Sequence, residues 1–133
     1  DTRNRRDLNA RVNIINHNKA DLFISIHVNS FPKDKSIKGP IVFYYNQSEP
    51  SKELAKYIQK RLNTEFNKYY RYKKHNKSRG GTYYILKNTK SPGVIVENGF
   101  ISNKEDYNLL KKDKFRYSIA YQIYMAIGEY LNG

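Results

Sequence analysis

No cysteine and no tryptophan occur in the 133 residues, methionine appears once, and acidic side chains number 12 against 25 lysines and arginines. Without cysteine, disulfides and thiolate metal sites are excluded, and redox chemistry says nothing about the compartment. No apolar run approaches the roughly 20 residues of a membrane helix, and no signal peptide is visible. The chain opens on DTRNRRDLNARV, polar and helix-like without an initial Met, so a longer N-terminal part is expected before Asp1. The shortage of acid leaves a formal net charge of +13, which favours polyanionic partners such as nucleic acid, anionic envelope polymers or acidic lipid. The basic residues are spread along the chain (Arg3, Arg5 and Arg6; Lys73, Lys74, Lys77 and Arg79; Lys111, Lys112 and Lys114). They lack the stacking aromatics of a nucleic-acid module, so a solvated basic surface is the better reading and no nucleic-acid partner is expected.

What is present supports one folded domain. Apolar residues make up 38% and aromatics 14%, enough for a single core at this length, although a mean hydropathy of -0.87 marks a very polar surface. Thirteen residues are tyrosine, which suits half-buried helix faces and polar-tipped pockets. Leu8, Val12 and Ile15 recur at helical spacing and predict a helix over 4–17, with Arg5, Arg6, Asn9 and Asn13 toward solvent. Residues 22–28 read as a strand apolar enough to be covered on both faces, and 40–46 as a second strand. Leu54, Ile58, Leu62 and Phe66 define a helix capped by Ser48 or Ser51 and ending near Asn67. The stretch KYYRYKKHNKSRGG reads as a basic, tyrosine-rich loop with Gly80-Gly81 as a turn. Strands are expected at 82–87 and 93–98, a short helix capped by Ser102 or Asn103 at 104–111, and an amphipathic helix from Phe115 to Leu131. The order predicts an α/β fold with a central mixed or parallel sheet flanked by helices.

Two apolar strands end on titratable side chains: FISIH on His27 and GVIVE on Glu97, each followed by turn-forming residues. Open α/β sheets carry their sites at such carboxyl edges. If the two strands are parallel neighbours, His27 and Glu97 meet at one edge. A neutral imidazole is a common zinc ligand, and a carboxylate beside it can move a proton between water and a leaving amine. A strand-end histidine alone is more often an ordinary hydrogen-bonded one, and Glu97 alone is equally a turn cap or an arginine partner. Asn29 and Asn98 are candidates to orient a ligand or substrate, and as turn residues they have an equally good structural reason. Gly99 suits a positive φ or a close approach, and Phe100 a packing anchor.

The segments ADLFISIHVNS, GPIVFYY, SKELAKYIQKRLN, YYILKNTKSPGVIVENGFISNKED and AYQIYMAIGEYL resemble, in order and spacing, the zinc-dependent N-acetylmuramoyl-L-alanine amidases of the amidase-3 type. The S-I-H-x-N and V-E-x-G-F-x-S-N segments are the most specific, and the opening TRNRRDLNARVNI looks most like the spore-cortex, germination-specific branch. The resemblance implies cleavage of the amide between N-acetylmuramic acid and the first L-alanine of the peptidoglycan stem. It implies a zinc ion held by two His and one Glu, with a further Glu assisting the water. By motif position His27 matches the second His ligand and Glu97 the catalytic Glu. The first His and the Glu ligand have no match and would lie upstream of Asp1, so residues 1–133 are expected to form the C-terminal portion of a single catalytic domain whose N-terminal strand and helix are absent. His17 and His75 match neither.

The partners implied are peptidoglycan and an accessory protein, with Tyr117, Tyr121 and Tyr124 on the last helix as a docking surface or, equally, as core. Arg79, Lys73 and Lys87 are candidates to favour approach of an acidic substrate and, equally, a solvated face. The implied location is extracytoplasmic, in the envelope or spore cortex, with membrane association only through a segment before Asp1. The competing reading is a non-catalytic cationic module that binds the cell wall or a partner protein.

Overall fold

The computed structural model describes residues 2–133, with side chains from residue 4 onward. Arg3 therefore lies outside the described side chains. The described residues form a four-stranded sheet and five helices in the order α1 (Thr2–His17), β1 (Phe23–Asn29), β2 (Ile41–Tyr45), α2 (Glu49–Asn67), β3 (Arg79–Gly81), α3 (Tyr84–Lys87), β4 (Gly93–Phe100), α4 (Lys104–Leu110) and α5 (Asp113–Asn132). The strand order is β1-β4-β2-β3. β1 and β4 are parallel, β2 runs antiparallel to β4, and β3 lies parallel to β2. This is the mixed α/β sheet the sequence predicts.

Alternation along the strands sends successive side chains to opposite faces. On one face Val42, Val94 and Val96 meet Leu54, Ile58, Leu62 and Phe66 of α2 and Phe115, Ile119 and Ile123 of α5 in the main core. Each such fully buried aliphatic or aromatic side chain contributes about 1.5–3 kcal/mol. On the other face a smaller cluster joins Val12, Ile85 and Leu86 to Phe23, Phe43 and Ile95. The i+4 row of α2 is the one read from sequence. Its N-cap is Ser48, whose Oγ accepts from the Ser51 backbone N–H at 3.2 Å. Asn103 caps α4 through Asp106 N at 3.1 Å.

Three expectations are corrected. The segment 82–87 is not a strand: Tyr84–Lys87 forms a helical turn that packs Ile85 and Leu86 into the second cluster. Tertiary packing there overrides the β-propensity of its tyrosines and isoleucine. Gly80-Gly81 is not a turn but part of β3, paired with Tyr44 and Tyr45. β1 is not covered on both faces: Ile26 is 60% and Val28 47% exposed, because β1 is the edge strand of the described sheet.

Gly93 has a packing reason the sequence reading missed. A Cβ there would sit 1.8 Å from the Phe23 ring, so glycine admits that ring over the start of β4.

Candidate active site

β1 and β4 pair in parallel from Phe23↔Gly93 to His27↔Glu97, which sets His27 and Glu97 side by side on adjacent strands. By alternation both share the face of Ile95 and Phe23, away from α2 and α5. Beyond this pair the register shifts: Asn29 faces Phe100 rather than Gly99. β4 thus carries an extra residue at the turn, a bulge of the kind that re-aims side chains beside active sites. Gly99 takes φ +84° within it, and a Cβ there would approach Asp106 Oδ2 to 2.8 Å. The glycine is needed for both reasons.

His27 is exposed, and its Nε2 is hydrogen-bonded to Ser25 Oγ at 2.7 Å. Ser25 is a residue the sequence reading passed over. The signal was available, since positions two apart on a strand share a face. A bond that occupies one ring nitrogen restrains the ring, while the Ser25 hydroxyl, able to donate or accept, suits either tautomer. Glu97 is half-buried, and burial pushes its carboxyl pKa up, opposed in part by the charge of the neighbouring His27. Its Oε2 is buried without a hydrogen-bond partner. Most buried polar atoms are paired, so an orphaned carboxylate oxygen beside an exposed imidazole makes Glu97 a candidate functional group.

Asn98, on the opposite face, is buried. Its Nδ2 donates to the His27 carbonyl at 3.3 Å, and its Oδ1 has no partner. It ties the ends of the two strands together and faces a groove of about 310 Å³ lined by Ile26, Val28, Ile119, Ala120 and Ile123. Asn29 Oδ1 accepts from Ser30 N at 2.9 Å, and its carbonyl accepts from Ile101 N at 2.9 Å. Its contacts are those of a turn.

The turn after Glu97 is held from behind by Asp106, which is fully buried. Its Oδ2 accepts from Gly39 N and Phe100 N, both at 2.8 Å, and its Oδ1 accepts from the Tyr70 hydroxyl. Burial raises the Asp106 pKa against these bonds. Burial, and then the Asp106 charge, raise that of the Tyr70 phenol, so Tyr70 stays protonated as the donor.

Among the described residues no group of three or more His, Cys, Asp or Glu could hold a metal ion. His27 has the donor chemistry of one zinc ligand, with the Glu97 carboxyl beside it. A catalytic zinc needs about three protein ligands, so these residues do not make one by themselves. His17 and His75 lie elsewhere, at the end of α1 and in the loop before β3.

The chain is 38% identical over 128 residues to the germination-specific N-acetylmuramoyl-L-alanine amidase of Bacillus subtilis, covering 96% of the chain and 52% of that protein. It is 37% identical over 118 residues to the endolysin of Bacillus phage SPP1, covering 86% of the chain and 41% of that protein. It superposes with a TM-score of 0.86 and 32% identity on the CwlD amidase of Clostridioides difficile, solved in complex with the GerS lipoprotein, over 99% of this chain and 66% of that one. The chain thus spans about half or less of the length of these two curated relatives. A family described as N-acetylmuramoyl-L-alanine amidase, of the amidase-3 type, matches residues 1–129, and with the His27–Glu97 strand ends in register the chain belongs to that family.

Proposed function

We propose that residues 1–133 are the C-terminal portion of the catalytic domain of a zinc-dependent peptidoglycan hydrolase. It would cleave the amide between N-acetylmuramic acid and the L-alanine of the stem peptide. The observation that carries this is the pair at the strand ends: an exposed imidazole registered against a carboxylate with a buried, unpartnered oxygen. His27 would hold one position of the zinc ion, and the remaining ligands would come from outside these residues, next to the free edge of β1. Bound zinc would polarise the scissile carbonyl and make water more acidic.

The chain's own contribution is proton traffic and orientation. Glu97 takes the proton from the attacking water and returns it to the alanine nitrogen as the amide breaks. Its raised pKa suits both halves of that exchange, because a base that must also donate works best near the operating pH. Ser25 orients His27, and Asn98 holds the His27 carbonyl and so the strand end. A non-catalytic wall-binding module leaves the orphaned Glu97 oxygen without a role.

The likeness to a germination-specific amidase supports action on spore cortex, outside the cytoplasm. No helix of the described residues is long and apolar enough to cross a membrane. An accessory protein is supported by the relative solved with a lipoprotein. Tyr117, Tyr121 and Tyr124 of α5 are exposed rather than core, and Tyr121 and Tyr124 stack at 6.3 Å, which offers such a protein a surface.

Release of stem peptide from purified muropeptides by the longer protein tests the reading. Wild-type-like cleavage by Glu97→Gln would sink the role of Glu97. Full zinc occupancy in His27→Ala would sink that of His27.

A further inference from the structure

The sheet edge farthest from His27 carries a second feature that amide hydrolysis does not use. A groove of about 410 Å³ runs between α2, β2 and the segment before β3, lined by Tyr44, Lys52, Lys56, Lys60, Lys77 and Ser78 among others. Lys52, Lys56 and Lys60 are spaced four apart on α2 and lie on one helical face, about 6 Å apart along the axis. They form a track of charge about 12 Å long, with Lys77 across from it. Among the described residues the lining contains no carboxylate. Glu53 reaches Lys56 from outside at 3.8 Å, both side chains being more than half exposed, and such a pair is worth little.

The floor of the groove is rigid because its amides are already bonded to one another. Gln59 Nε2 donates to Pro40 O at 2.8 Å and Asn63 Oδ1 at 2.9 Å, and Asn63 Nδ2 donates to Asn76 O at 2.8 Å. Those amides have little left for a ligand. The lysine ammonium groups and the half-exposed Tyr44 ring remain.

We infer that this groove is a second binding track for the peptidoglycan polymer. The lysines would meet carboxylates of stem peptides, and the Tyr44 ring would offer an apolar face to a sugar. The inference rests on the proposed function for its choice of polymer. Lysines are flexible point charges without the planar fork of arginine, so a line of them suits repeated, loosely placed anions rather than one fixed phosphate. A single tyrosine without a stacking row does not match single-stranded nucleic acid, where successive bases each take an aromatic platform. Tyr44 lies opposite Val94 on the α2 face, whereas Glu97 lies opposite Ile41 on the other face. The groove would therefore hold a wall strand other than the one being cut, and keep the enzyme on an insoluble mesh between cleavages.

The test is co-sedimentation of the chain with purified peptidoglycan stripped of phosphate-containing polymers. The variant Lys52→Gln/Lys56→Gln/Lys60→Gln/Lys77→Gln should weaken retention at least about tenfold and flatten its salt dependence. A control with the same charge change, Lys104→Gln/Lys111→Gln/Lys112→Gln/Lys114→Gln, should stay within about twofold of the unmodified chain. Amidation of the wall carboxylates should abolish the difference between the two variants. Equal losses in both would reduce the effect to net charge and overturn the inference, as would unchanged retention of the groove variant. Retention only on walls that keep their phosphate polymers, or an equal variant-dependent loss on a single-stranded DNA homopolymer, would overturn the choice of ligand. Cleavage of small soluble muropeptides by the longer protein should be the same with and without the groove substitutions. Absence of that cleavage even with the groove intact would refute the proposed function while leaving the binding result to stand by itself.

Discussion

Glu97 in β4 and Asp106 in α4 flank one turn, both with burial raising their pKa, and their hydrogen bonding differs. Asp106 accepts from two backbone amides and a phenol and has no unused oxygen. Glu97 keeps a buried Oε2 with no partner. A saturated buried carboxylate is a fastening: it joins the entry to β2, the exit from β4 and the loop after α2. An unsaturated one fastens nothing, which is what the proposed proton-transfer role of Glu97 requires. Desolvation is common to both, so the shift alone does not separate structure from chemistry; the hydrogen-bond inventory does.

Substitution should separate them sharply. The largest effect expected is on cleavage by Glu97→Gln, a loss of about a thousandfold in the longer protein with the fold intact, read from stem-peptide release beside circular dichroism. Next comes Asp106→Ala, which strands Gly39 N, Phe100 N and the Tyr70 hydroxyl in the interior; about 4 kcal/mol should be lost in urea unfolding of the chain. Asp106→Asn should lose only about 1 kcal/mol. An amide oxygen in the Oδ2 position still accepts from both backbone amides, its NH2 can donate to the Tyr70 oxygen, and the cost of burying a charge disappears. If Asn is as damaging as Ala, the charge itself matters and the fastening argument fails. Ser25→Ala is expected to lower cleavage about tenfold by loosening His27, with little change in stability.

The sequence carried the main features of this comparison unevenly. The apolar runs FISI and GVIV, ending on His27 and Glu97, are visible because strand period and chemistry coincide there, and parallel pairing brought them into register as the α/β order implied. α2 was legible for the same reason: one unbroken i+4 row with a serine cap. Asp106 was not, because nothing local distinguishes an acid in the first turn of a helix from one that reaches across to Gly39 and Phe100. Segment 82–87 was misread because its tyrosines and isoleucine satisfy a strand rule, and only the cluster with Val12 makes a helical turn the better packing. β1 was misread as doubly covered because apolar content reports what a strand is able to bury, not what lies beside it.

The smallest effect should come from pH. Burial raises the Glu97 pKa, so the folded chain holds its proton to a higher pH than the unfolded chain does. As pH rises through the unfolded value of about 4.3, the unfolded state releases the proton first, and stability falls until the folded value is passed. At neutral pH an ionised Glu97 is therefore a net burden on the fold. Glu97→Gln should raise stability there, with the gain vanishing in acid below both pKa values. Asp106, also raised, follows the same sign, but replacing it by Ala removes three bonds along with the charge, so the fold loses. Thermal melts of the chain and of Glu97→Gln at acid and neutral pH would measure the difference. A variant that is less stable than the unmodified chain at neutral pH would mean that the carboxylate has a stabilising partner, and that Glu97 belongs with Asp106 rather than opposite it.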